Sequence, residues 1–254
     1  MRHALQLTVN HKQSLSLQKA ICFINFPWFG SLWFFLIFGL GGYSCRDIIS
    51  IRKKAVKLLD EVGSKPLVIC ANHLTMIDSM LITTFLFPFS SIFKRFTLMP
   101  WNVPEVINFG KNFLLRLMCY LGKCVYVERG GSLASKKLTL EKVKWLVKKK
   151  QLVCLFPEGT RSRTGKIDPE SATYGIGKIL QEVEDCHVLC VYVRGDSQES
   201  YSFFPKRNET FYTDISLIKP TSEHKGNRGA KEITLEVMNQ LKDMEHGYFQ
   251  SIGK

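Results

Sequence analysis

His73 and Asp78 are the residues of this chain whose types and spacing best suit proton-transfer chemistry. Among the six histidines, His73 is the one with an aspartate five residues later. If the loop between them folds back, the carboxylate of Asp78 accepts the proton of one imidazole nitrogen. The other nitrogen then stays basic, as a general base requires. The alternative interpretation is a polar loop at the start of a helix, without a catalytic role.

A strand and a helix are predicted to hold this pair. Residues 67–71 form a short apolar run after Pro66, which is typical of a buried strand. Thr75 is a candidate N-cap for a helix over residues 76–87. Asp78 then lies in the first turn of the helix, where the helix dipole favours a negative charge.

A second polar segment follows another apolar run, over residues 152–156. Its sequence is Phe-Pro-Glu-Gly-Thr-Arg-Ser, from Phe156 to Ser162. Pro157 and Gly159 favour a tight, irregular backbone. The N–H groups of such a turn can point at an anion. A third block, Val-Tyr-Val-Glu-Arg, ends at Arg129 after a predicted strand over residues 123–127.

Taken in order, the three blocks resemble the glycerolipid acyltransferase family, which includes the 1-acylglycerol-3-phosphate O-acyltransferases. The resemblance covers about residues 66–195 and departs from the family pattern at Leu189-Cys190-Val191, where a proline is usual. It implies an α/β domain with a central, mostly parallel sheet flanked by helices. It also implies catalysis by His73 with Asp78. The acceptor-binding residues it implies are Arg129, Glu158, Gly159, Thr160 and Arg161.

The family's chemistry is transfer of a fatty acyl group from a thioester, on acyl-CoA or acyl carrier protein, to a lipid hydroxyl. The resemblance therefore implies no bound cofactor and no metal. The acceptor it favours is 1-acylglycerol-3-phosphate, which would give phosphatidate. Another lysophospholipid or a lyso-aminolipid is the alternative acceptor, because residues 100–105 lack the Pro-x-x-Gly spacing expected of phosphatidate-forming members.

An uncharged, aromatic-rich run over residues 20–45 is long enough to span a bilayer. Its proline and glycines leave open a bent hairpin in one leaflet, and a buried core helix is a third interpretation. The sequence is therefore divided into a membrane-associating segment, 1–45, and an acyltransferase domain, 46–254. Arginine and lysine follow the run, so the positive-inside rule places the domain on the cytoplasmic face.

The composition restricts the partners. A net charge of +13 suits lipid headgroups, phosphorylated substrates, an acidic acyl carrier protein or nucleic acid. Nucleic acid is disfavoured because the aromatic residues concentrate in the apolar run rather than among the basic residues. The eight cysteines form no close metal-binding pair and indicate reduced thiols. A catalytically silent membrane-binding module is the non-enzyme alternative.

Periodicity predicts the remaining elements. A basic amphipathic helix should run over residues 46–62 and end at Gly63, and helical periodicity continues over 103–121. A lysine-rich helix over 132–151 is interpreted as a solvated face or as a docking surface for acyl carrier protein or anionic lipid. Two strands and a final helix are expected at 187–193, 209–218 and 228–245.

Overall fold

A mixed six-stranded sheet forms the centre of the molecule. The computed structural model describes residues 7–253, so the first six residues of the predicted 1–45 segment, and Lys254, lie outside the described residues. The strands, in chain order, are β1 (Ser44–Cys45), β2 (Leu67–Ala71), β3 (Trp101–Asn102), β4 (Val153–Leu155), β5 (His187–Gly195) and β6 (Thr210–Ile218).

The strand order is β1-β6-β5-β2-β4-β3. Every neighbouring pair is parallel except β5 and β6, which are antiparallel. The predicted α/β fold with a central, mostly parallel sheet is confirmed.

Nine α-helices surround the sheet in the described part of the chain. They are α1 (Val9–Phe34), α2 (Ile48–Val62), α3 (Asp78–Leu86), α4 (Phe89–Lys94), α5 (Val106–Phe109), α6 (Phe113–Leu121), α7 (Leu133–Lys148), α8 (Gly175–Leu180) and α9 (Gly226–Ser251). A π-helical stretch, Phe35–Leu40, continues α1 without a break.

The helices cover both faces of the sheet, as the alternation along β2 shows. All five residues of β2 are buried, which is typical of a parallel strand covered on both sides. Ile69 and Ala71 pack into a core with the helices of the first half of the chain, α1 to α4. Val68 and Cys70 face a second core with α7, α8 and α9. The carboxyl end of β2 is thereby held rigidly between two layers.

Two predicted elements differ from the structure between β3 and α7. The helical periodicity of 103–121 is divided into α5 and α6, with a break at residues 110–112. The predicted strand over 123–127 is wrong. This segment is extended but meets its neighbour only through two isolated parallel bridges, Asn102 with Cys124 and Glu105 with Val127. Lys123 at its start has a left-handed φ of 53° and ends α6. Pro104 of the neighbouring segment has no N–H to donate, so the parallel hydrogen bonds before and after it do not join into a continuous ladder.

The lysine-rich helix α7 is solvated at most of its lysines but not at Lys144. That side chain is buried, and its ammonium pairs with Glu141 at 3.0 Å and with Glu182 at 2.5 Å. Conversely, Leu133 in the first turn of the helix is apolar but 85% exposed. The buried side of this helix consists of Val143, Lys144, Leu146 and Val147, in its second half.

Candidate active site

The loop after β2 brings His73 and Asp78 into contact. Nδ1 of His73 lies 2.9 Å from Oδ2 of Asp78. The imidazole is largely enclosed, with 18% of the side chain exposed, and the carboxylate is buried. With Nδ1 engaged, Nε2 is the nitrogen that a substrate hydroxyl can approach. The contact that the spacing predicted is present, and its catalytic use remains a prediction.

Asp78 also receives hydrogen bonds from the loop that precedes it. The backbone N–H groups of Leu74 and Thr75 donate to Oδ2 at 2.6 Å and 2.8 Å, and the Thr75 hydroxyl donates to Oδ1. Thr75 is therefore not the helix N-cap that was predicted. Helix α3 begins at Asp78, and its N-cap position is Ile77. Together with the His73 ring, these groups make four contacts that hold the carboxylate in one orientation.

The loop after β4 lies directly against His73. The register of β2 and β4 pairs Cys70 with Leu155, so the loops that follow both strands begin side by side. The ring of Phe156 stacks on the imidazole with centroids 4.1 Å apart and an interplanar angle of 18°. The Ser162 N–H donates to the His73 carbonyl at 2.8 Å. Histidine is thus held at its ring and at its backbone.

Glu158 is the buried carboxyl group of this second loop. Its Oε1 accepts the backbone N–H of His73 at 3.1 Å. Burial raises the pKa of Glu158 to about 7, because the cost of desolvating the charged form exceeds the lowering effect of that hydrogen bond. Glu158 therefore exchanges a proton near neutral pH, in contact with the backbone of the proposed base.

The backbone of the second loop requires a glycine next to Glu158. Gly159 has φ +70°, and a Cβ there would lie 2.6 Å from Cγ2 of Thr173. The Thr173 N–H and hydroxyl both donate to the carbonyl of Pro157, at 2.8 Å and 3.0 Å. Thr160 follows on the exposed side of the turn.

Arg161 is held by a segment that sequence reasoning missed. Its guanidinium donates to the Ser202 carbonyl at 3.0 Å and lies over the rings of Phe203 and Tyr201, 4.8 Å and 5.4 Å from their centroids. The same segment binds the loop of His73: the Ser202 N–H donates to the Leu74 carbonyl at 3.0 Å. The signal available in the sequence was the aromatic group Tyr-Ser-Phe-Phe at residues 201–204. Arginine carries five N–H donors, so this contact leaves others for an anion.

Arg129 lies at the same edge of the sheet but farther from His73. Its Nε pairs with Glu105 at 3.2 Å, and 47% of its side chain is exposed. The extended segment that leads to it is parallel to β3, which neighbours β4, which neighbours β2. Three strand spacings amount to roughly 14 Å. The structure therefore brings together His73, Asp78, Glu158 and Arg161, and places Arg129 to one side of them.

Asn72 is a further residue whose role sequence reasoning missed. It is buried, and its side-chain amide donates to the Val193 carbonyl at 2.9 Å while its oxygen accepts the Val193 N–H at 2.8 Å. This pair ties the start of the His73 loop to the neighbouring strand β5. A buried amide with both groups satisfied fixes the direction in which the chain leaves β2.

The site thus combines a supported histidine–carboxylate pair, a second buried carboxyl group and two arginines at the carboxyl edge of a parallel sheet. Among residues 7–253, no group of three or more histidine, cysteine, aspartate or glutamate side chains is arranged to hold a metal ion. The arrangement suits removal of a proton from a hydroxyl beside a bound anion.

The comparison with known families agrees with this chemistry. The acyltransferase family model matches residues 50–194, which is more than half of the chain. The chain therefore belongs to the acyltransferase family, the family of the glycerolipid acyltransferases. It is an acyltransferase that acts in lipid metabolism. A search of curated proteins found no match.

Proposed function

We propose that this chain is a membrane-associated O-acyltransferase that moves a fatty acyl group from an acyl thioester to the hydroxyl of a lysophospholipid. The acceptor that fits best is 1-acylglycerol-3-phosphate, with phosphatidate as product. Other lysophospholipids and lyso-aminolipids form the second class of acceptor. The observation that carries the proposal is the contact between Nδ1 of His73 and the Asp78 carboxylate, which leaves Nε2 of the imidazole free of that carboxylate.

The chemical step begins with His73 as general base. Nε2 accepts the proton of the acceptor hydroxyl while its oxygen attacks the thioester carbonyl carbon. Asp78 holds the ring in the required tautomer and stabilises the imidazolium that forms. When the C–S bond breaks, the thiolate leaves and receives the proton from His73. The ester is then complete, and the thioester's own reactivity makes a covalent enzyme intermediate unnecessary.

The loop after β4 is proposed to hold the acceptor. Glu158, in contact with the His73 backbone, would orient the glycerol part, with Gly159 and Thr160 shaping the turn around it. Arg161 and Arg129 would bind the phosphate, because a guanidinium pairs two phosphate oxygens at once.

The donor is proposed to be acyl-CoA or an acyl carrier protein, both of which present the acyl group as a thioester. The positive charge of the chain favours either of these acidic partners. The apolar helix supports association with a bilayer, and the basic residues after it support a catalytic domain on the cytoplasmic face.

The test is an acyl-transfer assay on the full chain in lipid-detergent micelles. Acyl-CoA and acyl carrier protein thioesters are offered separately, each with 1-acylglycerol-3-phosphate or with a lysophospholipid that lacks a free phosphate monoester. Mass spectrometry should detect phosphatidate as the main product, dependent on His73. Preference for the other acceptor would support the second class. Absence of transfer with every pair would support the silent membrane-binding module and contradict the proposal.

A further inference from the structure

The eight cysteines of the chain, all free thiols, differ in their exposure. Five lie in the two cores, where a thiol serves as a small apolar side chain: Cys22, Cys70, Cys154, Cys186 and Cys190. The three that are partly exposed are Cys45, Cys119 and Cys124. Cys45 lies in β1, at the opposite edge of the sheet from β3, which the segment of Cys124 contacts. Cys119 and Cys124 are therefore the exposed thiols that are close enough to react with each other.

Cys119 and Cys124 occupy two paired positions in the C-terminal cap of α6. The Cys124 N–H donates to the Cys119 carbonyl at 3.0 Å, and the Lys123 N–H donates to the Tyr120 carbonyl at 3.2 Å. Together with the left-handed φ of Lys123, 53°, these two bonds define a Schellman motif. In this motif the side chains of the first and last residues, here the two cysteines, commonly contact each other. The cap therefore brings the two thiols together.

The hydrogen bond between the two cysteines also limits the distance between their Cα atoms. A carbonyl oxygen lies about 2.4 Å from the Cα of its own residue, and an amide nitrogen lies about 1.5 Å from its Cα. With the 3.0 Å bond added, the Cα atoms of Cys119 and Cys124 are less than about 7 Å apart. Disulfides join cysteines whose Cα atoms are about 4.4–6.8 Å apart. The backbone of the cap is thus compatible with a bond between the two sulfurs.

Cys119 is the member of the pair with the more reactive thiol. The Cys124 thiol donates a hydrogen bond to the Cys119 sulfur, and this bond lowers the pKa of Cys119 to about 7, against the effect of burial. By contrast, burial raises the pKa of Cys45, the third partly exposed thiol. A larger fraction of Cys119 is therefore thiolate at neutral pH. The thiolate is the form of cysteine that reacts with oxidants.

The Tyr126 hydroxyl is a second group beside the Cys119 sulfur. It is buried and has no other hydrogen-bond partner among the described residues. A buried hydroxyl without a partner is costly, whereas donation to a thiolate gives it a charge-assisted hydrogen bond. Tyr126 therefore also favours the ionised form of Cys119.

The two cysteines join α6 to the segment that follows it. Cys119 lies in the last turns of α6, and Cys124 opens the extended segment that leads to Arg129. The carbonyls of Tyr120 and Cys124 accept the side chain of Gln18 from α1, at 3.0 Å and 3.1 Å. Because these contacts use carbonyl groups, they leave the thiols of Cys119 and Cys124 available to each other.

We propose that Cys119 and Cys124 form a site of reversible oxidation, at which a peroxide converts the two thiols into a disulfide that closes the end of α6. This inference goes beyond the proposed acyl transfer and does not depend on it. A disulfide that forms only under oxidant is the kind found in reducing compartments. The reduced pair is then the resting state, in agreement with the free thiols of the structure.

The reaction has two steps. The Cys119 thiolate attacks one oxygen of hydrogen peroxide, the O–O bond breaks, and the leaving hydroxide takes up a proton to give water. Cys119 is then a sulfenic acid. The Cys124 sulfur attacks the Cys119 sulfur, the S–O bond breaks, and the leaving hydroxide takes the Cys124 proton to give a second water. The two thiols have lost two electrons and two protons, and the peroxide has been reduced.

The first test identifies the bond in the full-length protein. The protein in detergent micelles is treated with hydrogen peroxide, remaining thiols are blocked, and the protein is digested with trypsin without reduction. Cleavage after Lys123 places the two cysteines in separate peptides, 117–123 and 124–129. Mass spectrometry should detect these two peptides joined, with two hydrogens lost, and dithiothreitol should separate them. Another pairing, or a bond only between two copies of the chain, would overturn the proposal.

The second test separates the roles of the two thiols. Cys124→Ser should stop the reaction at the sulfenic acid of Cys119, which dimedone traps, whereas Cys119→Ser should give neither sulfenic acid nor disulfide at this cap. Cys45→Ser is the matched control and should form the disulfide at the wild-type rate. In the wild type, Cys119 should be oxidised about tenfold faster than Cys45, because more of it is thiolate. Equal rates at the two residues would contradict the assignment of Cys119 as the attacking thiol.

The third test measures the ionisation of Cys119. Its alkylation by iodoacetamide should reach half of the maximum rate near pH 7, whereas Cys45 should do so above its ordinary pKa of 9.0. Tyr126→Phe removes the buried hydroxyl and should move the midpoint of Cys119 to higher pH. Tyr174→Phe, at an exposed tyrosine, is the control and should leave it unchanged. A midpoint near pH 9 for wild-type Cys119 would overturn the proposal, and an unchanged midpoint in Tyr126→Phe would refute the part assigned to Tyr126.

Discussion

Two buried carboxyl groups lie beside His73 and differ in their hydrogen-bond donors: Asp78, where the loop after β2 meets α3, and Glu158, in the loop after β4. Asp78 accepts four hydrogen bonds, from the His73 ring, two backbone N–H groups and the Thr75 hydroxyl. The described residues offer Glu158 one, from the His73 backbone. Burial then dominates at Glu158 and raises its pKa to about 7. The two buried carboxyl groups therefore differ in the number of hydrogen-bond donors around them.

This difference leads us to expect different roles for the two loops. The loop after β2 holds the imidazole of His73 in place for a proton transfer, so its residues should act mainly on turnover. The loop after β4 offers a titrating carboxyl group and an arginine, so its residues should act mainly on binding. Substitutions in each loop can break or sharpen this comparison.

The largest effect is expected at His73. His73→Ala removes the sole proposed base and should lower kcat by about 100-fold or more. Asp78→Asn should lower kcat less, because the imidazole remains and only the stabilising charge is lost. Acceptor KM should change little in either variant. Steady-state kinetics check this, with the exposed His246→Ala as control. Activity of His73→Ala near that of the wild type would refute the mechanism.

The next effect is on stability and concerns Glu158. The pKa of Glu158 is raised in the folded state. The carboxyl group therefore contributes fully to the free energy of unfolding below its ordinary pKa of 4.5, and this contribution is lost as the pH rises through about 7. Glutamine does not titrate, so the Glu158→Gln variant does not lose this stability as the pH rises. The free energy of unfolding of the variant relative to the wild type should therefore increase by about 2–3 kcal/mol between pH 5 and pH 8.

Denaturant titrations at the two pH values measure this difference. Glu170→Gln, at an exposed position, is the matched control and should show no such pH dependence. An equal difference at pH 5 and pH 8 for Glu158→Gln would mean that the carboxyl group is ionised at both, contrary to its buried position.

A smaller effect, on acceptor binding, is expected at Arg161. A phosphate held equally in the ground and transition states contributes to KM more than to kcat. Arg161→Ala should raise KM for 1-acylglycerol-3-phosphate about tenfold and leave donor KM nearly unchanged. Arg161→Lys should restore binding only partly, because an ammonium cannot pair two oxygens. Arg163→Ala, on the same loop and exposed, is the control. A rise in donor KM instead would mean that this arginine faces the thioester.

The smallest effect is expected from the aromatic residue that supports this arginine. Phe203→Ala removes a ring 4.8 Å from the guanidinium and should raise acceptor KM about threefold, with kcat unchanged. Phe203→Tyr keeps the ring and should restore the wild-type value. Measurement in detergent micelles separates this effect from membrane docking. If the tyrosine variant is as impaired as the alanine variant, the ring does not position Arg161.

The sequence by itself determined the parts of this protein that depend on neighbouring residues. The strand at β2, the closure of α2 at Gly63 and the contact between His73 and Asp78 follow from apolar runs, from a glycine with φ +62° and from a short loop. Each involves residues a few positions apart, so local preferences are sufficient. The family motif also pointed to the loop after β4, which lies against His73 in the structure.

The tertiary structure alone decided the contacts between distant segments. The pairing of Arg161 with residues 201–203 joins positions about forty residues apart, and that of Gln18 with Cys124 joins positions 106 apart. The composition of residues 20–45 predicted an apolar segment but not which of its sides packs on the domain, because apolar residues occur on every side of the helix from Ala20 onward. Likewise, Lys123 is of a residue type that usually lies at the surface, yet its side chain is fully buried. Its ammonium donates to the Met99 carbonyl at 2.5 Å. The contacts of such residues depend on how distant segments pack together, and a local sequence pattern does not predict that packing.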